Sequence, residues 1–399
     1  MALILFVAEL GGGFGHVRRL LPVAEAAARA GHRALFLVPN PAEAAAFVAR
    51  SGFGLRPAPS IQRAPASRPA AGSVATSFAD ILGGAGFADV DYLHDLVTAW
   101  DATIGELRPA AIVCEFSPFL NVAVFGGTVP VLVLGYGFVL PPPQLPAFAP
   151  LWDGAPLFDE SRLLENVAHV CTRRGRPAPA ALPALLGGSA HAVTGLAHLD
   201  PYRARRARPA VGPPSVESRL AETEPRHDLF AYLLGDSPST MYVLRALGLS
   251  GLRGRVFVRR GGEAHRRLLE GTDMVWLDKP EPIGRALDEA RVIVHHGSML
   301  TSEEALVAGR PQVVVPLYLE HLLTARALDE LGVAAVVRSA RDPGDIARAL
   351  AGGLADDVVA RRARAFAETF WRASAPAPDL PDRLLREVAA PAPPGLRGT

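Results

Sequence analysis

The sequence predicts an α/β protein with two Rossmann-like, doubly wound domains, each built on a parallel sheet. Apolar runs of strand length alternate with amphipathic helical stretches in the first half of the 399 residues, and the alternation returns in the second half. Between Pro201 and His227 the chain is rich in Pro, Arg and Glu and has little periodicity. Repeated strand–helix–strand order is typical of parallel sheets covered on both faces, and this length exceeds one ordinary core. The predicted divisions are an N-terminal domain at 1–208, a linker at 209–227, a C-terminal domain at 228–375, and a C-terminal helix with a flexible tail at 376–399.

The individual elements follow from the length and the period of the apolar runs. In the first half, strands are expected at 3–8, 34–38, 111–115 and 129–134, and helices at 17–30, 41–51 and 89–107. In the second half, strands are expected at 229–234, 255–258, 274–277, 291–295 and 312–315, and helices at 239–247, 302–308 and 322–331. The stretch at 140–190 is rich in proline and alanine, and its pattern predicts no element.

Composition excludes several classes of protein. Basic and acidic residues balance at 41 and 40, for a net charge of +1, whereas nucleic-acid binders concentrate basic charge on one face. The only basic cluster, at 203–208, lies among prolines and is expected to be solvated. Two cysteines, Cys114 and Cys171, provide neither a disulfide framework nor a cysteine-based zinc site.

The opening residues are expected to form a strand. They lack the basic segment of a signal peptide, and glycines follow the short apolar run. No uncharged run of about 18 apolar residues is present to span a membrane. These features favour a cytoplasmic protein without a transmembrane segment.

A glycine-rich loop, Gly11 to His16, separates the first strand from the first helix. Glycines allow a ligand to approach the backbone, and the helix N-terminus favours anions. A dinucleotide fingerprint fits poorly, because its third glycine would fall at His16. The second strand also ends at Pro39-Asn40 without the acidic residue that holds a ribose.

His16 is a candidate general base for a hydroxyl group, since an imidazole titrates near neutral pH. Such a base needs a carboxylate to orient its other nitrogen. Glu115 closes a neighbouring strand and is expected at the same edge of the sheet. Alternatively, His16 is only a residue of the helix start and Glu115 only a charge at the strand end.

A second polar constellation follows the strand at 291–295. His296-Gly297-Ser298 precedes a helix, and Thr301 with Glu304 has the spacing of a capping box. A helix N-terminus behind such residues suits a diphosphate, and Glu304 is placed to reach a ribose. Glu320-His321, at the start of another helix, could hold sugar hydroxyls. Alternatively, both glutamates only complement helix dipoles, worth about 0.3–1 kcal/mol each.

Taken together, these motifs resemble the family 1 (UDP-glycosyltransferase-type) glycosyltransferases, whose GT-B fold has two Rossmann-like domains facing a central cleft. Their nucleotide-sugar signature is matched in order by His296-Gly297-Ser298, Thr301, Glu304-Ala305-Leu306, Gly309-Arg310-Pro311, Pro316 and Glu320-His321. Glu304 follows His296 by 8 residues and Glu320 follows it by 24, as in the family. Gly15-His16 with Leu21-Pro22, and Val211-Gly212-Pro213, are similar to the family's start and interdomain entry.

The resemblance implies a role for each matching position. In the first domain, His16 would be the general base and Glu115 its orienting acid. In the second domain, Glu304 would bind the ribose, and Glu320 with His321 would bind the donor sugar. Pro280 and Glu281 would lie beside the nucleobase, mainly through backbone atoms. The donor diphosphate would be held by Gly235, Ser237, His296, Gly297, Ser298 and Thr301, with Asp236 nearby.

The sequence departs from the family at four positions. Asp278 stands where plant members have a stacking tryptophan, and His321 where glutamine is usual. Ser298 and Leu300 replace glycines of the bacterial pattern. Because these positions surround the expected donor, they leave the sugar and the nucleobase open.

The expected activity is transfer of a sugar from a UDP- or dTDP-sugar to an acceptor hydroxyl, with inversion and without a cofactor or a metal ion. The one DxD triplet, Asp89-Val90-Asp91, is expected to open a helix instead of binding metal. The nucleotide sugar would be a co-substrate, and the acceptor a small molecule, a lipid or a carbohydrate. The alternatives are a GT-B nucleotide-sugar 2-epimerase and a catalytically silent GT-B binding or partner subunit.

Overall fold

The computed structural model describes residues 1–11, 14–48, 51–66, 69–70, 73–222, 224–355, 357–373 and 376–389. The chain forms two compact units. The first unit is Met1–Ser215 with the segment that begins at Pro376, and the second unit is Val216–Ala375. Gly12 and Gly13 of the predicted glycine loop, and the predicted tail at 391–399, lie outside the described residues.

Each unit contains a parallel six-stranded sheet. The strands are β1 Leu3–Ala8, β2 Arg33–Val38, β3 Gly54–Pro57, β4 Ala111–Glu115, β5 Val131–Gly135, β6 Ala190–Val193, β7 His227–Leu234, β8 Gly254–Arg259, β9 Met274–Leu277, β10 Ala290–His295, β11 Gln312–Val314 and β12 Ala334–Val336. The first sheet has the order β3-β2-β1-β4-β5-β6, and the second has the order β12-β11-β10-β7-β8-β9. Both are the Rossmann order, so the predicted fold class is confirmed.

Helices connect the strands, as right-handed parallel crossovers require. They are α1 Phe14–Arg29, α2 Pro41–Val48, α3 Phe78–Leu82, α4 Val90–Leu107, α5 Pro118–Val124, α6 Glu160–Arg173, α7 Pro238–Leu249, α8 Glu263–Arg266, α9 Ile283–Glu289, α10 Met299–Ala308, α11 Leu319–Glu330, α12 Pro343–Ala355, α13 Asp357–Ala373 and α14 Leu380–Ala389. Among the described residues, no helix has both the length and the hydrophobicity that crossing a bilayer requires.

Helix α14 belongs to the first unit although it follows the whole second unit in sequence. Its apolar face carries Leu380, Leu384, Leu385 and Val388, which are buried in the first core against the apolar face of α1. An amphipathic pattern says that this face must be covered but not by what. The sequence therefore predicted the helix and not the unit that it completes.

The expected linker is divided between the two units. Val211 donates a backbone hydrogen bond to Val193 of β6, while Ala221 donates one to Ala308 of α10. The division falls between Ser215 and Val216, inside the predicted 209–227 segment. This segment is thus hydrogen-bonded to a strand of the first unit and to a helix of the second.

The expected DxD triplet begins α4. Asp89 is the N-cap, and its carboxylate accepts a hydrogen bond from the Tyr92 amide at 2.9 Å. The other oxygen accepts from the Ala66 amide and pairs with Arg63. Asp89 is thus committed to capping and to an ion pair, as its position before a helix predicted.

Candidate active site

The first candidate site lies where the order of the first sheet reverses. Strands β1 and β4 are parallel neighbours, and Ala8 at the end of β1 is paired with Glu115 at the end of β4. His16 lies in the first turn of α1, which follows β1. Its Nδ1 atom is 3.5 Å from Oε2 of Glu115, and both side chains are buried. The structure therefore brings together the two residues of the predicted dyad, 99 positions apart, at the usual ligand-binding edge of such a sheet.

The backbone of Gly11 approaches the ring of His16 closely. Its φ is +88°, and a Cβ atom at this position would overlap Nε2 of His16. Only glycine combines this backbone conformation with such a close approach. The glycine predicted to admit a ligand thus accommodates the imidazole.

Glu115 has a second partner that the sequence did not predict. Nε of Arg19, one turn after His16 on α1, lies 3.8 Å from Oε1 of Glu115. Nη1 of Arg19 donates to the backbone oxygen of Thr194 at 3.0 Å, and its guanidinium lies 5.1 Å from the ring centre of Tyr136. Arg19 is buried. A single sequence gives no sign of this, because a helix arginine usually reaches solvent.

Aromatic rings surround the dyad. The ring centres of Phe116 and Tyr136 lie 5.6 and 6.0 Å from that of His16. Phe116 packs in turn on Phe78, which also contacts Phe138 and Phe148. Of these phenylalanines, only Phe116 is partly exposed. An apolar wall thus adjoins the imidazole.

Glu9, directly after β1, is a buried carboxyl group that the sequence analysis missed. It accepts hydrogen bonds from the Trp100 indole and from the amides of Phe119 and Leu120. Burial raises the pKa of Glu9 to about 7, against the opposing effect of these hydrogen bonds. Its own amide donates to Ser117, so Glu9 fixes the turn that follows β4. An acidic residue closing an apolar strand was the available signal.

The second candidate site lies at the corresponding edge of the second sheet. Gly235 and Ser237 follow β7, and His296 to Ser298 follow the neighbouring strand β10. A Cβ on Gly235 would lie 2.5 Å from the carbonyl oxygen of Arg260, so glycine is required here for packing. Asp236 pairs with Arg260, and Ser237 is the N-cap of α7 and is hydrogen-bonded to Ser239. Thr240, which the sequence did not single out, joins the two loops.

The tautomer of His296 follows from its contacts. Its Nδ1 lies 2.8 Å from the backbone oxygen of Val315, which can only accept, so Nδ1 carries the proton. Its Nε2 lies 3.4 Å from Oγ1 of Thr240. Burial lowers the pKa of His296. The ring is therefore neutral at pH 7 in this structure, with Nε2 as its acceptor.

Gly297 acts through its backbone conformation. Its φ is +89°, and its amide donates to Nδ1 of His295 at 3.0 Å. His295 therefore donates through Nε2 to Oε1 of Gln312, at 2.9 Å, and burial lowers the pKa of His295 to about 3. The Gly297 amide, which was predicted to bind the diphosphate, donates to His295 in this structure and is therefore not available to a phosphate oxygen.

The predicted capping box is wrong. Helix α10 begins at Met299 with Ser298 as the N-cap, three residues before the expected start. Oγ of Ser298 donates to Oγ1 of Thr301 at 3.0 Å, which brings together two of the predicted diphosphate ligands. Leu300 lies in the same turn.

Glu304 is also placed differently from the expectation. It is fully buried, and its carboxylate accepts hydrogen bonds from the amides of Glu217 and Ser218 at 2.8–3.1 Å. This carboxylate fastens the beginning of the second unit to α10. The expected ribose contact therefore lacks an exposed oxygen in this structure.

The Glu320-His321 pair opens α11. Glu320 is partly exposed, whereas His321 is buried and neither of its ring nitrogens has a hydrogen-bond partner. The ring of His321 stacks on Tyr318 at 3.9 Å and lies parallel to His296 at 6.4 Å. Burial lowers the pKa of His321 well below its ordinary value. The structure thus places His321 beside the expected diphosphate site.

The two residues predicted for the nucleobase precede α9. Pro280 is exposed, while the side chain of Glu281 pairs with Arg255 at 2.8 Å. Arg255 also pairs with Glu289, and burial raises the pKa of Glu281. Oε2 of Glu281 is thus engaged with Arg255, whereas Oε1 is buried without a hydrogen-bond partner. Asp278 is exposed and pairs with Arg266.

Comparison with known proteins supports the predicted resemblance. Residues 267–382 match the family model described as the erythromycin biosynthesis protein CIII-like, C-terminal domain. No curated protein matches the chain in sequence.

Three solved structures illustrate the likeness in fold. The spinosyn rhamnosyltransferase SpnG has a TM-score of 0.65 at 17% identity, with 97% of this chain and 100% of that chain covered. The glycosyltransferase SnogD from Streptomyces nogalater has a TM-score of 0.63 at 17% identity, with 96% of this chain and 99% of that chain covered. The glycosyltransferase SsfS6 from Streptomyces sp. SF2575, complexed with thymidine diphosphate, has a TM-score of 0.60 at 17% identity, with 97% of this chain and 100% of that chain covered. The chain thus has the GT-B fold of these glycosyltransferases.

Proposed function

We propose that this chain is a glycosyltransferase that transfers a sugar from a UDP- or dTDP-sugar to an acceptor hydroxyl. The observation that carries the proposal is the buried pair of His16 and Glu115, 3.5 Å apart, at the reversal point of the first sheet. The compared structures support it, because all three are glycosyltransferases and one holds thymidine diphosphate.

His16 would act as the general base. Its Nδ1 faces Glu115, and its Nε2 would accept the proton of an acceptor hydroxyl. Glu115 would fix the tautomer and stabilise the imidazolium that forms. Direct attack by the oxygen on the anomeric carbon would invert its configuration. The partly exposed Phe116 beside the ring would exclude water from this position.

The second unit would hold the donor diphosphate. Helices α7 and α10 begin at the reversal point of its sheet, and helix N-termini favour anions. The Thr301 hydroxyl accepts from Ser298 and would donate to the diphosphate, and Nε2 of His296 would donate once the charge of the phosphate has favoured its protonation. Positioned dipoles of this kind stabilise a leaving diphosphate. We propose that they act without a metal ion, and that Glu320 and His321 lie on the sugar side.

The test separates donor binding from transfer. Calorimetry with UDP and dTDP measures the first, and product analysis with a panel of alcohols, with and without EDTA, measures the second. In H16A we expect the transfer rate to fall about 10²–10⁴-fold, with nucleotide affinity unchanged. The matched control is H94A, because His94 lies on α4 beside Asp95 and away from the dyad.

Each other outcome contradicts a specific part of the proposal. Full transfer by H16A would remove the base assignment, and loss of activity in EDTA would remove metal independence. Binding of neither nucleotide would remove the donor class. Nucleotide binding without transfer to any alcohol would favour a silent subunit, and epimerised donor without acceptor would favour the 2-epimerase.

A further inference from the structure

We propose that Arg19 is a positioning residue for transfer, acting on His16 through their shared partner Glu115. The inference rests on the proposed role of His16 as the base. It starts from the geometry of one carboxylate that has two neighbours: Oε2 lies 3.5 Å from Nδ1 of His16 and Oε1 lies 3.8 Å from Nε of Arg19. The dyad is thus part of a three-residue arrangement.

Burial makes the third member necessary. Glu115 is 0% and Arg19 3% exposed, so neither charge is screened by water. A buried carboxylate without a counter-charge is strongly destabilised. A neutral imidazole supplies no such charge, whereas an arginine is always protonated. Arg19 therefore supplies Glu115 with a counter-charge when the imidazole of His16 is neutral.

Two further contacts hold Arg19 in place. Nη1 donates to the backbone oxygen of Thr194, directly after β6, and the guanidinium lies over the Tyr136 ring. Arg19 is three residues after His16 on α1, so both side chains leave the same face of the helix. The guanidinium thereby lies on the side of Oε1 of Glu115, and the imidazole lies on the side of Oε2.

The charge of Arg19 also sets how basic His16 is. Glu115 favours the imidazolium form of His16, and a nearby cation disfavours it. Among the described residues, the titratable groups recorded near this edge include Tyr136, whose ring is 6.0 Å from His16, and Cys114 and Glu9 near Glu115. Among them Arg19 is the permanent cation. Loss of its charge should raise the pKa of His16, so that less of the base is available near neutral pH.

The decisive measurement is the pKa of His16 by NMR titration, with the resonance assigned by its absence in H16A. We expect R19Q to raise this pKa by about one unit, E115Q to lower it, and R19K to restore it toward the wild-type value. The matched control is R29Q, which removes one charge from the exposed end of the same helix, where Arg29 pairs with Asp382 on the surface. This variant should leave the pKa unchanged.

An unchanged or lowered pKa of His16 in R19Q would overturn the proposal and leave Arg19 as a tie between α1 and β6. Because the titration needs no substrate, its result does not depend on whether the chain transfers sugars. If the proposed function also holds, the pH profile of kcat/KM in R19Q should shift upward by the same amount. A uniform loss at every pH would contradict this part.

Discussion

At the scale of single residues, the first unit buries ionisable groups beside its candidate site. Glu9, Glu115 and Arg19 are all buried at one edge of the sheet. Glu115 is balanced by Arg19, whereas Glu9 faces only neutral donors, one indole and two amides. Burial without a counter-charge therefore favours the protonated form of Glu9.

This difference predicts a pH dependence of stability. Burial raises the pKa of Glu9 from 4.5 to about 7, so between these values the folded state binds the proton more tightly than the unfolded state. The associated stability, about 3 kcal/mol, is complete below pH 4.5 and is lost as the pH rises through 7. We expect the denaturation midpoint to fall between pH 5 and pH 8, and to fall less in E9Q.

A surface carboxylate provides the control. Glu106 lies on the outside of the same unit, in an exposed pair with Arg56, and E106Q should follow the wild-type curve. If wild type and E9Q lose stability in parallel between pH 5 and pH 8, Glu9 does not titrate in this range.

At the scale of elements, two glycine turns correspond to each other. Gly11 follows β1 with φ +88°, and Gly297 follows β10 with φ +89°. A Cβ at Gly11 would overlap the imidazole of His16, and a Cβ at Gly297 would lie 2.9 Å from Val314. Each turn thus requires glycine for conformation and for space, but the neighbours differ.

We therefore expect the two glycine-to-alanine variants to impair different steps, namely transfer and nucleotide binding. G11A should displace His16 and lower transfer at least tenfold while leaving UDP or dTDP affinity unchanged. G297A should disturb the His295–Gln312 contact and weaken nucleotide affinity by a similar factor. Calorimetry and transfer assays on both variants are the measurement. Equal effects of both variants on nucleotide affinity would show that the turns do not act separately.

Much of this element-level arrangement could be predicted from the sequence. The nine predicted strands are present within about two residues, because long apolar runs between turn residues have few alternatives. Helix starts were less certain. Thr301 and Glu304 have the capping-box spacing, yet Ser298 caps the helix and Glu304 bonds to Glu217 and Ser218. Local spacing cannot reveal a partner 87 residues earlier in the chain.

In the candidate sites, too, some residues could be predicted from the sequence and others could not. His16 and Glu115 could be paired in advance because the ends of adjacent parallel strands meet at one edge. Arg19, Thr240 and Glu9 could not, since their roles depend on which side chains the fold buries beside them. The alanine- and proline-rich stretch at 140–190 gave no period, and it contains α6 and the first residue of β6.

At the scale of the whole molecule, the first unit needs α14 to complete its core, whereas the second unit does not contain this helix. The apolar face of α14 fills the core of the first unit with three leucines and a valine. Burying each such side chain is worth about 1.5–3 kcal/mol, so their sum is comparable with the entire stability of a domain. The second unit contains none of these residues.

Removal of residues 376–399 should therefore unfold or loosen the first unit and spare the second. We expect the shortened chain to bind a hydrophobic dye and to lose transfer, while UDP or dTDP affinity persists. A chain shortened only by residues 390–399 retains α14 and is the control. Loss of nucleotide affinity together with transfer would show that the second unit depends on α14.

Because α14 belongs to the first unit, its position at the end of the sequence affects the order in which the two units can fold during synthesis. The emerging chain presents five of the first unit's helix–strand crossovers early, but the apolar face of α1 stays partly uncovered until some 160 further residues have been made. During that interval the first unit is open to association with other chains, whereas the second can close as soon as it emerges. We therefore expect the first unit to complete its core only after the second unit has been made.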